Sequence, residues 1–404
     1  MRLLDTESFP ARVGPVAFLT IATVSQTGMS FVQQGIVVMG VFFAALYHLT
    51  LAQMGLVTTA LSLGVMASMV VMGGMADRIG PRRLLFWGSM VMSALSLIFL
   101  VASGFYALLV LLFGLGAALA IVPASGTKAV FTAFRGCPRG TVMGIRQTGV
   151  PLGALLAASL LPRIATEGLR PLFLIFAAEL LFLGWIFSAV MPTHRLNPPK
   201  KASPRLNRTI ISRLWRPALV ASLMVSGQYV LLGFSLTDLH RVHHLGLVAG
   251  GMVLAAAQLG GGVSRVMTGV VSDRLGGRRP PVIVGCAITA ALMAAFVAML
   301  PGAVSIWILI PLWFVFGMGA VGWNALTIAW AGESVPTHHS GLAMSGVGTA
   351  AFLGAAVFPP LFGALIDATH RFSVGWGALG LVLAFAGFLT WQFGKRSDAS
   401  HAKA

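Results

Sequence analysis

Apolar runs of about twenty residues, separated by short polar stretches, recur along the whole chain. They cover roughly 14–44, 51–75, 83–102, 106–128, 140–162, 169–191, 216–237, 246–271, 281–300, 303–331, 340–366 and 374–394. About 20 apolar residues cross the hydrocarbon core of a bilayer as a helix. The pattern therefore predicts an all-α polytopic membrane protein with twelve transmembrane helices. The first run is long for a single span, which predicts a bend or an outer turn inside it.

The polar interruptions repeat too. "GGMADRIGPRR" at 73–83 returns as "GVVSDRLGGRR" at 269–279, close to half the chain later. "CPRGTVMGIRQTGVPLG" at 137–153 aligns with "THHSGLAMSGVGTAAFLG" at 337–354, so that Gly140 meets Gly341, Thr148 meets Thr349 and Gly153 meets Gly354. Two parallel repeats of six helices follow. Residues 1–191 form the first bundle and 216–404 the second. Residues 192–215, rich in Pro, Lys and Arg, form a cytoplasmic linker, part of which is suited to lie on the lipid surface as a short amphipathic helix.

Composition agrees with this picture. Of 404 residues, 57% are hydrophobic and 9% charged, against roughly 25% charged in globular proteins. The net charge of +17 suggests nucleic acid only until its placement is examined. With the N-terminus inside, only Arg163, Arg170, Arg241 and Arg371 fall in outer loops, and the other loop Lys and Arg residues fall inside. That bias places both termini in the cytoplasm. The charge is a topology signal and an attraction to anionic lipid, and it excludes a nucleic-acid binder. Cys137 and Cys286 make no disulfide framework. The opening MRLLDTESFP is too polar for a signal-peptide core. A cell-membrane, multi-pass monomer in the inner membrane is expected.

Each copy of the doubled motif has a glycine, three residues, then Asp-Arg-x-Gly and basic residues, between the second and third helices of its half. Gly73, Asp77, Arg78, Gly80 and Arg82 match it in the first half, and Gly269, Asp273, Arg274, Gly276 and Arg278 in the second. In this the chain resembles the twelve-helix transporters of the major facilitator superfamily, over nearly its whole length. The family often has its first basic residue after the glycine at the place where this chain has Pro81 and Gly277, and Arg83 and Arg279 stand ready to compensate. Chemically, an Asp at a helix end is drawn to the partial positive charge of a neighbouring helix N-terminus, and glycines let helix backbones approach. The motif then acts as a latch that holds one conformation and releases in another. Its plain alternative is a set of topology charges at a cytoplasmic turn.

Charges inside the spans are few. Arg146 lies six residues past Gly140, roughly 9 Å into the fifth helix at 1.5 Å per residue. Arg265 lies eight residues before Asp273, about 12 Å up the eighth. The superfamily resemblance implies that both helices line a central cavity. Facing arginines there would bind a carboxylate or similar anion; the plain alternative is snorkelling to headgroups. The order Arg265, Gly269, Asp273 is also similar to the eighth helix of monocarboxylate and oxalate-type carriers. Gln26, Gln33, Gln147, Gln228, Tyr229, Gln258, Trp323 and Asn324 are candidates to complete the site, though each also suits an interhelical hydrogen bond.

Proton coupling needs a titratable group. Glu179 lies deep in the sixth helix, and Asp238 and Asp367 lie near the outer ends of the seventh and eleventh. Glu333 is expected at a gate or cap on the cytoplasmic side. The histidines of "DLHRVHHLG" at 238–246 read as a flexible outer loop in preference to a metal site. No phosphate-binding loop, Ser/His/Asp set or HExxH is present, so no cofactor, metal, ATP-driven step or enzymatic activity is expected. The leading reading is proton-coupled uptake of a small organic anion by alternating access. The alternative is proton-antiport export of drugs or metabolites. It is weakened because the fourth helix, "LLVLLFGLGAALA", lacks the arginine that family exporters often carry, and because "GIRQTGVPLGA" breaks the exporter spacing in the fifth.

Overall fold

The computed structural model describes residues 14–101, 103–134, 142, 145–191, 208–302, 304–335 and 340–401, the side chains at 70, 77, 127–128, 131–132, 208–210, 340–341 and 396–401 excepted. Among them the secondary structure is helical throughout. The helices are α1 (Pro15–Val38), α2 (Gly40–Tyr47), α3 (Leu51–Arg78), α4 (Pro81–Ile98), α5 (Phe105–Leu119), α6 (Ile121–Ala133), α7 (Gly149–Ala165), α8 (Leu169–Val190), α9 (Arg208–Arg241), α10 (Leu247–Arg274), α11 (Arg279–Met299), α12 (Ile306–Gly322), α13 (Asn324–Glu333), α14 (Ser340–Thr369) and α15 (Phe372–His401).

Among the described residues, eleven helical stretches are long and apolar enough to cross a membrane, with α5–α6 and α12–α13 each counted as one. The twelfth expected segment is α4, 18 residues long. Arg82 and Arg83 in its first turn dilute its apolar character. The first run is interrupted once, since α1 ends at Val38 and α2 begins at Gly40. Helix α9 starts at Arg208, earlier than the apolar run, and passes through Pro217. Its first turns therefore occupy part of the stretch expected as linker.

The chain divides into two compact units, Met1–Met39 with Ala60–Ala202, and Gly40–Thr59 with Ser203–Ala404. In the first, α1 packs on α7 and α4 on α8. Phe99 stacks on Phe173 with centroids 4.5 Å apart and planes 3° from parallel. In the second, α10 packs on α12, α11 on α15 and α9 on α14.

The sequence repeat carries through to the closest helix contacts. In the first unit, a Cβ on Gly64 of α3 would strike the Phe113 carbonyl of α5, and one on Gly116 would strike the Leu61 carbonyl. In the second, Gly260 of α10 meets the Phe314 carbonyl of α12 in the same way, and Gly317 meets the Ala257 carbonyl. Gly153 and Gly354, already paired by the sequence echo, abut the Thr27 and Ser222 carbonyls of α1 and α9. Small residues at such crossings let backbones touch, which replaces the hydrophobic drive that lipid removes.

The piece of α3 that belongs to the second unit is fastened to α14. Gly55 lies against the backbone of Pro359 and Pro360, and Thr59 Oγ1 donates to the Ala356 carbonyl at 2.6 Å. At the start of α3 the amides of Leu51 and Ala52 donate to the two Asp367 carboxylate oxygens, at 3.0 and 2.8 Å.

Candidate functional site

Two spans are broken in mid-course, at Ala120 between α5 and α6 and at Trp323 between α12 and α13. A break strips carbonyls of their helical partners, and inside a membrane such groups must be satisfied by protein or water. At Trp323 the satisfying groups come from α10. Arg265 Nε donates to the Val321 carbonyl at 3.3 Å, and Thr268 Oγ1 to the Gly322 carbonyl at 3.3 Å. Ser264 sits against Gly322, and the Trp323 indole N–H returns to the Ala320 carbonyl at 2.8 Å. Tyr229 of α9 stands near enough to Arg265 to interact with its charge.

Arg146 belongs to the first unit and is almost fully buried, at 1% exposure. Its guanidinium lies over Gly126 of α6, and Nη2 reaches the Val122 carbonyl at a long 3.5 Å. Each arginine thus meets the backbone of a broken span within its own unit. The sequence locates the two charges; it does not foretell these carbonyl partners.

The remaining candidates divide between the units. Gln26 and Gln33 are buried in α1, and the Gln26 amide Nε2 contacts Met29 Sδ at 3.4 Å. Gln147 follows Arg146 and is half-buried. In the second unit Gln228, Tyr229, Gln258 and Trp323 are buried and Asn324 is half-buried at the start of α13. The structure brings Tyr229, Arg265 and Trp323 together around the α12–α13 break.

The doubled motif is best defined in its second copy. Arg279, at the first position of α11, bridges two carboxylates: Nη1 to Asp273 Oδ1 at 2.8 Å and Nη2 to Glu333 Oε1 at 3.0 Å. Nη1 also donates to Ser272 Oγ at 3.0 Å. Glu333 ends α13, so this one guanidinium ties the ends of α10, α11 and α13. Arg279, which stands one place after Arg278, makes both of these ion pairs. Gly276 and Gly277 both have positive φ, 71° and 78°, as does Gly80 at 87° in the first copy, a conformation that favours glycine. Gly73 and Gly269 have open space where a Cβ would stand. Arg78 and Arg274 close α3 and α10, and Arg82 and Arg278 border the next helices. The Asp77 side chain lies outside the described residues.

The three acids have different surroundings. Glu179 of α8 presses against Gly28 of α1, and its Oε2 is buried without a protein partner. Asp367 caps α3, as described above. Asp238, at 2% exposure, stands 3.8 Å from His243, measured from Oδ2 to Nε2. The expected loose loop at 238–246 is therefore only half correct. Helix α9 runs on to Arg241, and His243 is tucked in at 5% exposure. Burial holds its imidazole below its usual pKa, against the Gly302 backbone that favours the charged form. Among the described residues no group of three or more His, Cys, Asp or Glu is placed to hold a metal ion.

These features describe a polytopic helical membrane transporter built on an internal repeat. A family model for the Major Facilitator Superfamily matches residues 19–359 and 277–404, and the chain belongs to that superfamily. It is 29% identical over 341 residues to an uncharacterized MFS-type transporter of Mycobacterium tuberculosis, covering 82% of this chain and 74% of that one. It is also 29% identical over 377 residues to the 3-(3-hydroxy-phenyl)propionate transporter of Escherichia coli, covering 89% of this chain and 87% of that one. Among solved structures, the fold is shared with a bacterial homolog of the human lysosomal transporter Spinster, at TM-score 0.73 and 16% identity over 94% of this chain and 96% of the other. A nucleoside transporter matches at TM-score 0.75 and 14% identity, over 93% and 98%. The protein is a secondary transporter of small molecules, not an enzyme.

Proposed function

We propose that this transporter takes up a small organic anion, a carboxylate, together with protons by alternating access. The reading places it in the inner membrane as a monomer with both termini in the cytoplasm and two six-helix bundles joined by residues 192–215. The observation that carries it is a pair of buried arginines, Arg265 inside its span and Arg146 at the start of its span, ahead of α7 and not at the depth expected from the sequence. An arginine at mid-span costs about 2.5–3.5 kcal/mol on insertion scales, so intramembrane charges point to function. Arg265 stands beside Tyr229 at a broken helix, where a carboxylate would meet a planar fork of donors and a hydroxyl together. The relative that carries 3-(3-hydroxy-phenyl)propionate moves a compound of this class, which supports an aromatic or aliphatic carboxylate. For coupling, Asp367 is occupied as a cap, which favours the buried acids Glu179 and Asp238.

The test is a thermal-shift and uptake screen of the full chain in proteoliposomes against carboxylates, amines and drug-like cations. Carboxylates, including 3-(3-hydroxyphenyl)propionate, should raise the melting temperature and accumulate under an inward proton gradient. Stabilisation by cations alone, with extrusion under the opposite gradient, would overturn the reading in favour of export.

A further inference from the structure

We propose that Asp238 and His243, with Trp376, form a single proton-binding site enclosed at the C-terminal end of α9. Its use in coupling rests on the symport reading above; its existence does not.

The site is made by the end of one helix folding back on itself. After Arg241 the chain leaves α9, with the Val242 amide on the Asp238 carbonyl at 2.8 Å and the Leu245 amide on the Leu239 carbonyl at 2.9 Å. His244 takes a left-handed φ of 55°. The His243 ring lies against Asp238 while His240, Arg241 and His244 stay exposed. Asp238 and His243 are both sealed, their side chains each 2% exposed. Trp376 of α15, 1% exposed, brings its indole Nε1 toward the Asp238 carboxyl without closing a well-aligned bond. Three polar atoms, Asp238 Oδ2, His243 Nδ1 and Trp376 Nε1, therefore lie buried with no protein hydrogen-bond partner. Phe316 and Phe362 pack edge-on against the Trp376 ring, with centroids 5.8 and 5.2 Å away. A fixed charge in such an enclosure is costly unless matched. A carboxyl and an imidazole that share one proton meet that demand as an ion pair, the carboxylate matched by the imidazolium.

Among the described residues, the helices packed around the site bring no unmatched charge to it. Helix α12 has no titratable residue, α10 has its first charged side chain at Arg265, and α15 has none before Lys395. From α14 comes Asp367, held by the Leu51 and Ala52 amides. From α2 comes only Tyr47, and α13 has its one charge, Glu333, on Arg279. The His240 ring is bound to the Leu245 carbonyl at 2.8 Å. His244 is the one charge-bearing neighbour that opposes a cation on His243. Two groups so placed titrate as a pair, with pKa values that belong to the pair.

Infrared difference spectroscopy of the full chain in nanodiscs, titrated with pH and with no added substrate, tests the site. A carbonyl stretch of a protonated carboxylic acid should grow on acidification and disappear in Asp238→Asn. In His243→Gln the midpoint of that band should rise by about one pH unit, because the imidazolium no longer holds the carboxylate charged. A band unaffected by Asp238→Asn, or a midpoint unmoved by His243→Gln, overturns the proposal. The second variant keeps the test valid should the first misfold. For coupling, 3-(3-hydroxyphenyl)propionate serves as the probe in proteoliposomes. Asp238→Asn should lose at least about ten-fold in gradient-driven accumulation, as expected of a lost proton carrier, and keep gradient-free exchange. Normal accumulation in Asp238→Asn overturns the coupling role. If the wild-type protein ignores this probe and every other carboxylate, the substrate reading fails, and the infrared result alone decides the proton site.

Discussion

Arg265 combines two roles that substitution can separate. Its Nε satisfies the Val321 carbonyl at the α12–α13 break, and its charge is proposed to receive the substrate. Arg265→Ala should weaken binding of a carboxylate substrate by one charge-assisted contact, about 1.5–3 kcal/mol, or roughly 10- to 150-fold in Kd. Arg265→Lys keeps the charge but lacks the planar fork, so its Kd should lie between the two. Both variants leave the Val321 carbonyl short of its donor and should melt below wild type. Isothermal titration against differential scanning reads the two effects apart, and unchanged binding in Arg265→Ala would remove Arg265 from the site. The charges themselves were legible in the sequence because a membrane span tolerates so few. Their backbone partners were not. The break at Trp323 follows a glycine, yet glycines are scattered through every span of this chain. The same holds for Asp238 and His243, five positions apart, which meet where α9 ends.

At the scale of elements, helix contacts rest on missing side chains. A Cβ on Gly317 would collide with the Ala257 carbonyl, a backbone atom that cannot rotate away. Gly317→Ala should therefore destabilise by about 1–3 kcal/mol, the usual cost of overpacking. Gly285 of α11 has nothing within 4 Å of the equivalent position. There Gly285→Ala should be neutral or gain up to about 1 kcal/mol of helix propensity. Unfolding in detergent should show a loss in Gly317→Ala and none in Gly285→Ala, and equal loss in both would show that the α10–α12 contact is not tight. The apolar runs and the sequence repeat made twelve segments and their pairing legible. The ends of helices were harder, because a capping partner can be remote in sequence. Asp367 caps α3 from the end of α14, more than three hundred residues away. Asp367→Asn keeps the shape but removes the charge from a helix N-terminus, a loss of about 0.5–2 kcal/mol. Hydrogen exchange of the Leu51 and Ala52 amides should quicken in that variant, while exchange in the middle of α3 stays the same.

For the whole molecule, the repeat and the charge bias constrain topology together. An even number of spans returns the C-terminus to the side of the N-terminus. Twelve segments satisfy that only if α4 crosses, although its two leading arginines make it the least apolar. Those arginines belong to the basic loop that follows α3, and the matching loop after α10 holds Arg278 and Arg279. If α4 did not cross, the two copies of the motif would face opposite sides, and one basic cluster would lie outside against the positive-inside rule. The sidedness of the chain therefore tests α4 and the repeat at once. On a background without Cys137 and Cys286, an impermeant maleimide added to intact cells should label Arg241→Cys and spare Lys201→Cys. A cysteine in place of Arg83 should likewise be spared until the cells are opened. Labelling of the Lys201 or Arg83 position from outside would break the inside assignment of the basic loops, and with it the parallel arrangement of the two repeats.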